Sequence, residues 1–206
     1  MPPFLNFIEK PTSVKGLNPD SKIITTNLPN HLLSEEIFHL ELLKSMPRLS
    51  LEGDKPVLAY PGCGSDILYP LSFIKNLTNI RQIELIFIDK NDHWGMIKSI
   101  LDDLGVSFIE SNEQIKFYWD GLFVELEFHE DDIFSFDYPP FDIYFERKIA
   151  FFKDQVDDYE QKMYDKLKAN GLIISDYGFK NVHLQRISVP HELSAYGEMI
   201  VGRKIT

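Results

Sequence analysis

Cysteine and basic residues are both scarce in this sequence. Its 206 residues contain one cysteine, Cys63, so an intramolecular disulfide is excluded. Lysine and arginine number 21 against 32 aspartates and glutamates, which gives a formal charge of -11 at pH 7. A negative mean field repels phosphate backbones. The composition therefore argues against nucleic acid and favours a small molecule or a protein as partner.

Long apolar runs are missing as well. Asp, Glu, Lys or Pro interrupts every apolar stretch before it reaches the roughly 18 to 20 residues that are needed to cross a bilayer. The first ten residues lack the basic region followed by an apolar region that marks a secretory signal. We therefore expect a protein that spans no membrane and resides in the cytoplasm.

The first 50 residues differ in pattern from the rest. They are irregular and punctuated by proline, at Pro2, Pro3, Pro11, Pro19 and Pro29. Ser34 can then cap a helix that ends near Ser45, with acidic residues in its first turn. We interpret residues 1–50 as an N-terminal extension or lid, and residues 51–206 as the main domain.

Strand and helix patterns alternate through the main domain. Apolar runs predict strands, and helical spacing predicts helices between them; the strands are 57–60, 83–89, 141–146 and 171–176, and the helices 66–77, 92–104 and 154–168. Asp120-Gly121 predicts a hairpin over 115–128. Two tail strands, 182–189 and 197–204, are joined too closely for a long helix. The pattern therefore predicts an α/β fold, a doubly wound and mostly parallel sheet with an antiparallel C-terminal hairpin.

Two glycines stand where the first strand turns into its helix. The stretch 56–66 reads Pro-Val-Leu-Ala-Tyr-Pro-Gly-Cys-Gly-Ser-Asp. Gly62 and Gly64 permit a positive φ and let a ligand approach the backbone closely, although a tight turn without a ligand uses glycine in the same way. The dinucleotide fingerprint requires a third glycine at position 67, where this chain has Ile67. The turn therefore indicates a nucleotide-like ligand other than NAD.

Acidic residues follow the second and third core strands. Asp89 closes the second strand, where a carboxylate can accept hydrogen bonds from both hydroxyls of a ribose. Asp132 and Ile133 follow the third, where a carboxylate and an apolar side chain can hold an adenine. Each position taken alone is equally typical of a solvated surface loop. Their combination with the glycine turn indicates a nucleoside site.

These residues resemble a known family. Pro61-Gly62-Cys63-Gly64-Ser65-Asp66, Asp89 and Asp132-Ile133 are similar to the cofactor motifs of class I S-adenosylmethionine-dependent methyltransferases, over about residues 55 to 206. The resemblance implies that S-adenosylmethionine is the cofactor. It places Gly62, Cys63 and Gly64 against the methionine part, Asp89 at the ribose, and Asp132 and Ile133 at the adenine. The antiparallel last strand is also similar to that family. Tyr60 and Asp66 depart from it, since an acid and a third glycine are common there.

We therefore predict a methyltransferase that acts on an unidentified small-molecule or protein acceptor. Such an enzyme gains rate by placing a nucleophile in line with the methyl group, which requires no fixed catalytic residue. Residues that follow the fourth and fifth core strands would line the substrate side of the cleft, and each could equally be an ordinary surface residue; they are Glu146, Arg147, Asp176 and Tyr177.

Two other functions stay open. Tyr60 and Asp66 favour a non-catalytic module that keeps the fold and binds a nucleotide or a protein. An NAD-dependent oxidoreductase is opposed by Ile67 and by the terminal hairpin.

Cys63 is the only cysteine and stands in the glycine turn. We interpret it as a small residue that fills the turn and not as a nucleophile, because no partner histidine can be identified. The six histidines show no ligand-like pairing, so we predict no metal site.

Overall fold

A computed structural model of the chain describes residues 17–46, 48–111, 114–193 and 200–205. Its strands are β1 Val57–Pro61, β2 Gln82–Asp89, β3 Phe108–Ser111, β4 Gln114–Trp119, β5 Leu122–Glu130, β6 Phe141–Glu146, β7 Leu167–Ser175, β8 Leu184–Ile187 and β9 Ile200–Lys204. Its α-helices are α1 Ser34–Leu43, α2 Leu68–Leu77, α3 Trp94–Asp103, α4 Ala150–Lys153 and α5 Tyr159–Lys166, with 3₁₀ helices at Thr25–Asn30 and His191–Leu193. Among these residues, no helix combines the length and apolar character that crossing a membrane requires.

All the strands belong to one sheet, in the order β3-β4-β5-β2-β1-β6-β7-β9-β8. The five central strands, from β5 to β7, run parallel to one another. Strand β9 runs antiparallel to both of its neighbours. The predicted fold class is therefore confirmed, with a mostly parallel sheet and an antiparallel C-terminal hairpin.

The sheet is buried on both faces, as parallel sheets are. Leu85 and Phe87 of β2 belong to a core that includes residues of α1, α2 and α3. Ile86 and Ile88 of the same strand belong to a second core, which includes Tyr159 of α5. Successive side chains of a strand point to opposite faces, so a continuous apolar run serves both cores at once. This arrangement explains why β2 lacks the alternation of a half-buried strand.

Strand order reverses between β1 and β6. Strands β2 and β5 follow on one side of β1, and β6 and β7 lie on the other. The connections diverge at this point, which leaves a crevice outside the carboxyl ends of the two strands. The fold therefore places the residues after β1 and β6 at the mouth of one cleft.

The predicted hairpin is confirmed. Asp120 and Gly121 both have positive φ, 48° and 83°, as a two-residue turn with the twist of its strands requires. Trp119 pairs with Leu122 directly across it. Strand β3 was not predicted, because its four residues are mostly exposed and carry no apolar alternation. It extends the sheet beyond β4.

Two predicted element boundaries are wrong for local reasons. The helix predicted over 154–168 is shorter and corresponds to α5 alone, which ends at Lys166 because Leu167 already pairs with Phe141 of β6. The helix predicted from Asp66 begins at Leu68, and the Asp66 carboxylate accepts the Tyr69 N–H at 3.1 Å, as a capping residue does. The tail strand predicted over 197–204 lies partly outside the described residues, and its described part is β9.

Helix α1 is joined to the main core. Leu40 and Leu43 are buried in the core that also contains Leu58 of β1. Ser34 is the first residue of the helix, and the residue before it, Leu33, donates its N–H to the Glu36 carboxylate at 3.0 Å. Ser34 is therefore not the cap that was predicted. A division of the chain at residue 50 stays a prediction.

Candidate functional site

The glycine turn after β1 is fixed by its neighbours. The Gly62 N–H donates to the Ile88 carbonyl at 2.8 Å, which ties the turn to β2. Gly62 has a φ of +63°, and a Cβ there would lie 2.5 Å from Cγ2 of Ile149. Gly64 has a φ of +53°, and a Cβ there would meet no described atom within 4 Å. Gly62 therefore serves packing, whereas the backbone of Gly64 faces open space in the cleft.

Asp89 is held in place at the end of β2. One carboxylate oxygen, Oδ2, accepts the Gly64 N–H at 2.9 Å, and Oδ1 accepts the Asn91 N–H at 3.0 Å. The side chain is 14% exposed, and Nε2 of His93 lies 3.6 Å from Oδ1. Each oxygen of an ionised carboxylate has two lone pairs. Asp89 therefore keeps the capacity to accept hydroxyl groups from the cleft.

The turn after β5 lies beside Asp89. The Asp131 N–H donates to the Asp89 carbonyl at 2.9 Å. Asp132 accepts the Phe134 N–H on Oδ1 at 3.0 Å, so its carboxylate stabilises its own turn. Ile133 packs against the core that contains Tyr138. The structure thus brings Asp89 and Asp132 to neighbouring loops, and the adenine role of Asp132 and Ile133 stays a prediction.

An aromatic wall next to this turn was missed by the sequence analysis. Trp94 and Phe128 have ring centroids 6.2 Å apart, and both line a pocket with Glu130 and Asp131. The indole N–H of Trp94 donates to Glu110 at 3.0 Å, which fixes the ring. Trp94 follows Asp89 by five residues at the start of α3. An aromatic residue so soon after the acid that ends β2 was the feature of the sequence from which this wall could have been predicted.

Arg147 joins three elements at the other end of the cleft. It follows β6 and donates through Nη1 to Asp66 Oδ2 and through Nη2 to Glu36 Oε1, both at 2.9 Å. Its guanidinium carbon lies 3.3 Å from the ring centroid of Tyr69. The side chain is 14% exposed. Arg147 therefore links the sheet to the glycine loop and to α1.

The two departures from the family pattern contact each other. The Tyr60 hydroxyl donates to Oδ2 of Asp66 at 3.0 Å, the same oxygen that Arg147 binds. Tyr60 is 1% exposed, and burial raises the pKa of its hydroxyl well above the usual value. The Tyr60 hydroxyl therefore keeps its proton and donates it in the hydrogen bond to Asp66. Tyr60 and Asp66 therefore form one hydrogen-bonded pair next to Arg147.

The hydrogen-bond partners of Glu36 stabilise the ionised form of its carboxyl group. Burial acts to raise the pKa of Glu36, but the hydrogen bonds from Arg147 and from the Leu33 N–H outweigh it and lower the pKa. Lys148 adds to this, with Nζ 3.7 Å from Oε1. Glu36 is therefore ionised at neutral pH, so α1 is held to the cleft by an ion pair.

Glu146 has internal partners on both carboxylate oxygens. Oε1 accepts from Lys153 Nζ at 2.6 Å and from the Ser175 hydroxyl, and Oε2 accepts from the Tyr144 hydroxyl at 2.6 Å. The residue is 1% exposed. Burial raises the pKa of Glu146, although Lys153 opposes the shift. Glu146 thus connects β6, α4 and the end of β7, and the prediction that it orients a substrate stays untested.

Asp176 and Tyr177 point in different directions. The Tyr177 hydroxyl donates to Asp154 at 3.3 Å. Asp176 lines a pocket with Arg147, and its Oδ2 accepts the Lys148 N–H at 3.0 Å. Of the two residues that follow β7, Asp176 is therefore the one that reaches the pocket beside Arg147.

Cys63 is buried in the glycine turn. It is 3% exposed, and burial raises the pKa of its thiol well above the usual value. A thiol that stays protonated is a poor nucleophile. Cys63 therefore lines the cleft as a small apolar residue.

Comparisons with known proteins find similarity to solved structures alone. No protein-family model and no curated protein matches the sequence. The chain is similar to a proposed S-adenosyl-L-methionine-dependent methyltransferase from Methanococcus maripaludis, with a TM-score of 0.41 and 15% identity over 78% of this chain and 59% of that one. It is similar to MnmC2 from Aquifex aeolicus, with a TM-score of 0.45 and 13% identity over 81% of this chain and 56% of that one. A third similar structure is that of SAM-bound CalS10, an amino pentose methyltransferase from Micromonospora echinaspora, with a TM-score of 0.37 and 13% identity over 88% of this chain and 68% of that one.

These matches differ from the chain in length as well as in sequence. The chain spans between half and three fifths of several of the structures it matches. Strand β9 is reversed in the sheet, which the resemblance stated from the sequence led us to expect. The identities are too low to transfer a substrate or the role of any residue.

Proposed function

We propose that this chain is an S-adenosylmethionine-dependent methyltransferase that acts on a small-molecule or protein acceptor. One observation carries the proposal: the Asp89 carboxylate that ends β2 accepts the N–H of Gly64, in the glycine turn that ends β1. This contact places a hydroxyl acceptor and an open backbone at the point where a doubly wound sheet takes nucleotide-like ligands.

The residues present suit the nucleoside part of that cofactor. Asp89 would accept hydrogen bonds from the ribose hydroxyls, and Gly64 leaves space for a ligand to approach its backbone. Trp94 and Phe128 offer flat apolar surface to an adenine, next to the turn that carries Asp132 and Ile133. Aromatic rings stack on bases irrespective of their identity. The cofactor, when bound, would supply a methyl group on a positively charged sulfur.

The methionine end would lie between the glycine turn and Arg147. Gly62, Cys63, Asp66 and Arg147 line the same cleft as Asp89. Asp66 would attract the cofactor's amino group and its sulfonium charge, and Arg147 would attract its carboxylate. Since both residues already pair with each other, binding would require them to share their hydrogen bonds with the ligand.

Catalysis in this proposal comes from positioning. The cleft at the carboxyl ends of β1 and β6 opens next to a second pocket beyond Arg147, and α1 lines both. An acceptor held there would be brought close to the cofactor, and water would be excluded by α1. Fixing two reactants in the right geometry can supply about 7 to 11 kcal/mol of the barrier.

Calorimetry with S-adenosylmethionine and S-adenosylhomocysteine tests the proposal. We expect both to bind, and we expect Asp89→Ala to weaken binding by about tenfold or more, since hydrogen bonds to charged groups contribute about 1.5 to 3 kcal/mol each. Asp102→Ala, an exposed carboxylate on α3, is the matched control and should leave affinity unchanged. No heat at millimolar ligand would remove the methyltransferase proposal. An unaltered affinity in Asp89→Ala would show that the ribose is placed wrongly.

A non-catalytic nucleotide-binding module is the second candidate. The observation in its favour is that Arg147 already bridges Asp66 and Glu36, so ion pairs occupy the methionine end of the cleft. Such a module would bind adenosine as tightly as S-adenosylhomocysteine, because the methionine part would add nothing. A methyltransferase should bind S-adenosylhomocysteine more tightly. Competition between the two ligands separates the candidates.

An NAD-dependent oxidoreductase is the third candidate and the least supported. Ile67 is fully buried in the core, so the position of the third fingerprint glycine is used for packing. Strand β9 is antiparallel, unlike the strands of an all-parallel dinucleotide fold. A fluorescence titration with NADH tests this candidate, and saturable binding would revive it.

A further inference from the structure

A second pocket lies beyond Arg147, at the carboxyl ends of β6 and β7. Its volume is about 210 Å³. Its apolar wall is formed by Leu33, Phe73, Phe145, Ile174 and Leu193. Helix α1 closes one side, where the Nδ1 of His39 lies 2.9 Å from the Tyr69 hydroxyl. The pocket therefore suits an apolar group about the size of an aromatic ring.

Asp176 lines this pocket, and one of its two carboxylate oxygens is unpartnered among the described residues. It is 7% exposed, and its Oδ2 accepts the Lys148 N–H. Among the described residues, its buried Oδ1 has no hydrogen-bond partner. Leaving a buried polar atom unpaired costs about 1 to 3 kcal/mol, and more when the group is charged. A ligand that donates a hydrogen bond to the Asp176 carboxylate would offset that free energy.

The charges around the pocket leave a negative surplus. Arg147 and Lys148 face two carboxylates, Asp66 and Glu36. Glu146 is paired with Lys153. Within the part of the chain that the structure describes, no lysine or arginine forms an ion pair with Asp176. Glu35 has only His39 near it, with Nε2 of His39 3.9 Å from Oε1 of Glu35. Arg147 and Lys153 act on Asp176 from beyond ion-pair distance, and the pocket lining holds four carboxylates, Glu35, Glu36, Glu146 and Asp176, against the two basic residues Arg147 and Lys148.

We propose that this pocket binds the acceptor, and that the acceptor is an amine whose protonated nitrogen donates to the Asp176 carboxylate while its apolar body lies against Phe73 and Phe145. This inference rests on the proposed function. An alcohol would also donate to the Asp176 carboxylate, but it would bring no positive charge to offset the negative surplus of the pocket. A carboxylic acid would add a further negative charge beside Asp176 and is therefore excluded from the pocket.

Asp176 can also take the proton that such an amine must lose. Burial raises the pKa of Asp176 above its ordinary value, so its carboxylate is a stronger proton acceptor than an exposed one. The proton would move from the ammonium nitrogen to the Asp176 carboxylate, and the nitrogen would keep the electron pair of the broken N–H bond. The neutral amine would then be the nucleophile.

Three probes that share a phenyl ring test the pocket on the full chain. Phenethylamine, 2-phenylethanol and 3-phenylpropionate carry a positive, a neutral and a negative group on similar apolar bodies. By calorimetry, we expect the amine to bind at least tenfold more tightly than the alcohol, and the carboxylate to bind most weakly. This ranking of the three affinities is measured on the wild-type protein alone. An alcohol that binds as tightly as the amine would overturn the inference.

Asp176→Asn assigns the preference to one side chain. The variant keeps the shape of Asp176 and removes its charge, so the preference for the amine over the alcohol should fall to about twofold or less. Asp137→Asn is the control, because Asp137 is 95% exposed and pairs with Lys166 outside the pocket. It should keep the tenfold preference. Circular dichroism checks that Asp176→Asn is folded. If the folded variant keeps the tenfold preference for the amine, the inference is overturned.

A titration with S-adenosylhomocysteine separates this inference from the function on which it rests. Binding of S-adenosylhomocysteine without any preference for the amine would refute the acceptor class and leave the methyltransferase proposal standing. Preference for the amine without binding of S-adenosylhomocysteine would refute the methyltransferase proposal, and with it the role of the amine as a methyl acceptor.

Discussion

The two ends of the cleft are built in different ways. At the glycine end, Asp89 is held by backbone N–H groups and, within the described residues, by no lysine or arginine. At the other end, Arg147 is paired with Asp66 and Glu36 and lies over Tyr69. At the first end the Asp89 carboxylate keeps hydrogen-bonding capacity towards the cleft, whereas at the second end the polar groups hold three elements together. Substitutions should therefore affect binding at the first end and stability at the second.

Replacement of Arg147 should have the largest effect on stability. Arg147→Met leaves the partly buried Asp66 without its counter-charge and Glu36 with Lys148 alone, and breaking a buried ion pair from one side costs about 3 to 5 kcal/mol. Denaturant unfolding followed by circular dichroism measures this free energy.

The matched control for Arg147 is its neighbour. The Lys148 side chain is 67% exposed and lies 3.7 Å from Glu36, so Lys148→Met should cost about 0.5 kcal/mol or less. Equal losses in the two variants would show that the Arg147 end does not hold the fold together, and the comparison between the two ends would fail.

The two glycines should separate stability from binding. Gly62→Ala forces a Cβ against Ile149 at a positive φ, so we expect a loss of about 2 to 3 kcal/mol in the free energy of unfolding. Gly64→Ala meets open space and should cost only about 1 kcal/mol of backbone strain. Its new methyl group faces the cleft, so its affinity for S-adenosylhomocysteine should fall by about tenfold or more. Wild-type affinity in Gly64→Ala would place the ligand elsewhere.

The pH dependence of stability should differ in sign between two carboxylates. The pKa of Glu36 is lowered in the folded state, so its contribution is present above the unfolded pKa and is lost as pH falls through the folded pKa. The pKa of Asp176 is raised, so its contribution is present at low pH and is lost as pH rises through the folded pKa.

Thermal melts at several pH values test this difference, which is the smallest of the predicted effects. Compared with the wild type at pH 7, Glu36→Gln should melt lower and Asp176→Asn should melt higher, and both differences should shrink as pH falls below 4. Melting shifts of the same sign in both variants would contradict the assignment.

Sequence reasoning succeeded where the signal was local. Gly62 and Gly64 are two residues apart, and the Asp120-Gly121 turn is flanked by its own strands, so a short window contains all the geometry. The mostly parallel sheet was also predictable, because alternating strands and helices admit few topologies. The conformations of the glycine turn and of the hairpin were therefore predictable from the sequence, whereas the ligand roles of Gly62, Gly64 and Asp89 stay predictions.

The Arg147 end was not predictable in the same way. Its contacts join residues 81 and 111 positions apart, and no spacing in the sequence marks such pairs. Tyr60 and Asp66 were read as two separate departures from the family pattern, yet a hydrogen bond joins them. Lys153, which neutralises Glu146, carried no signal at all. Side-chain networks of this kind depend on tertiary packing, which the sequence pattern does not encode locally.

The most direct test of the nucleoside site compares the two tryptophans by NMR during a titration with S-adenosylhomocysteine. Trp94 lines the pocket beside Asp89, whereas Trp119 is buried and pairs with Leu122 at the other end of β5. We predict that the indole N–H signal of Trp94 and the amide signals of Gly62 and Gly64 shift with saturation, and that the Trp119 signal does not. Unchanged Trp94 and glycine signals at millimolar ligand would contradict the proposed site.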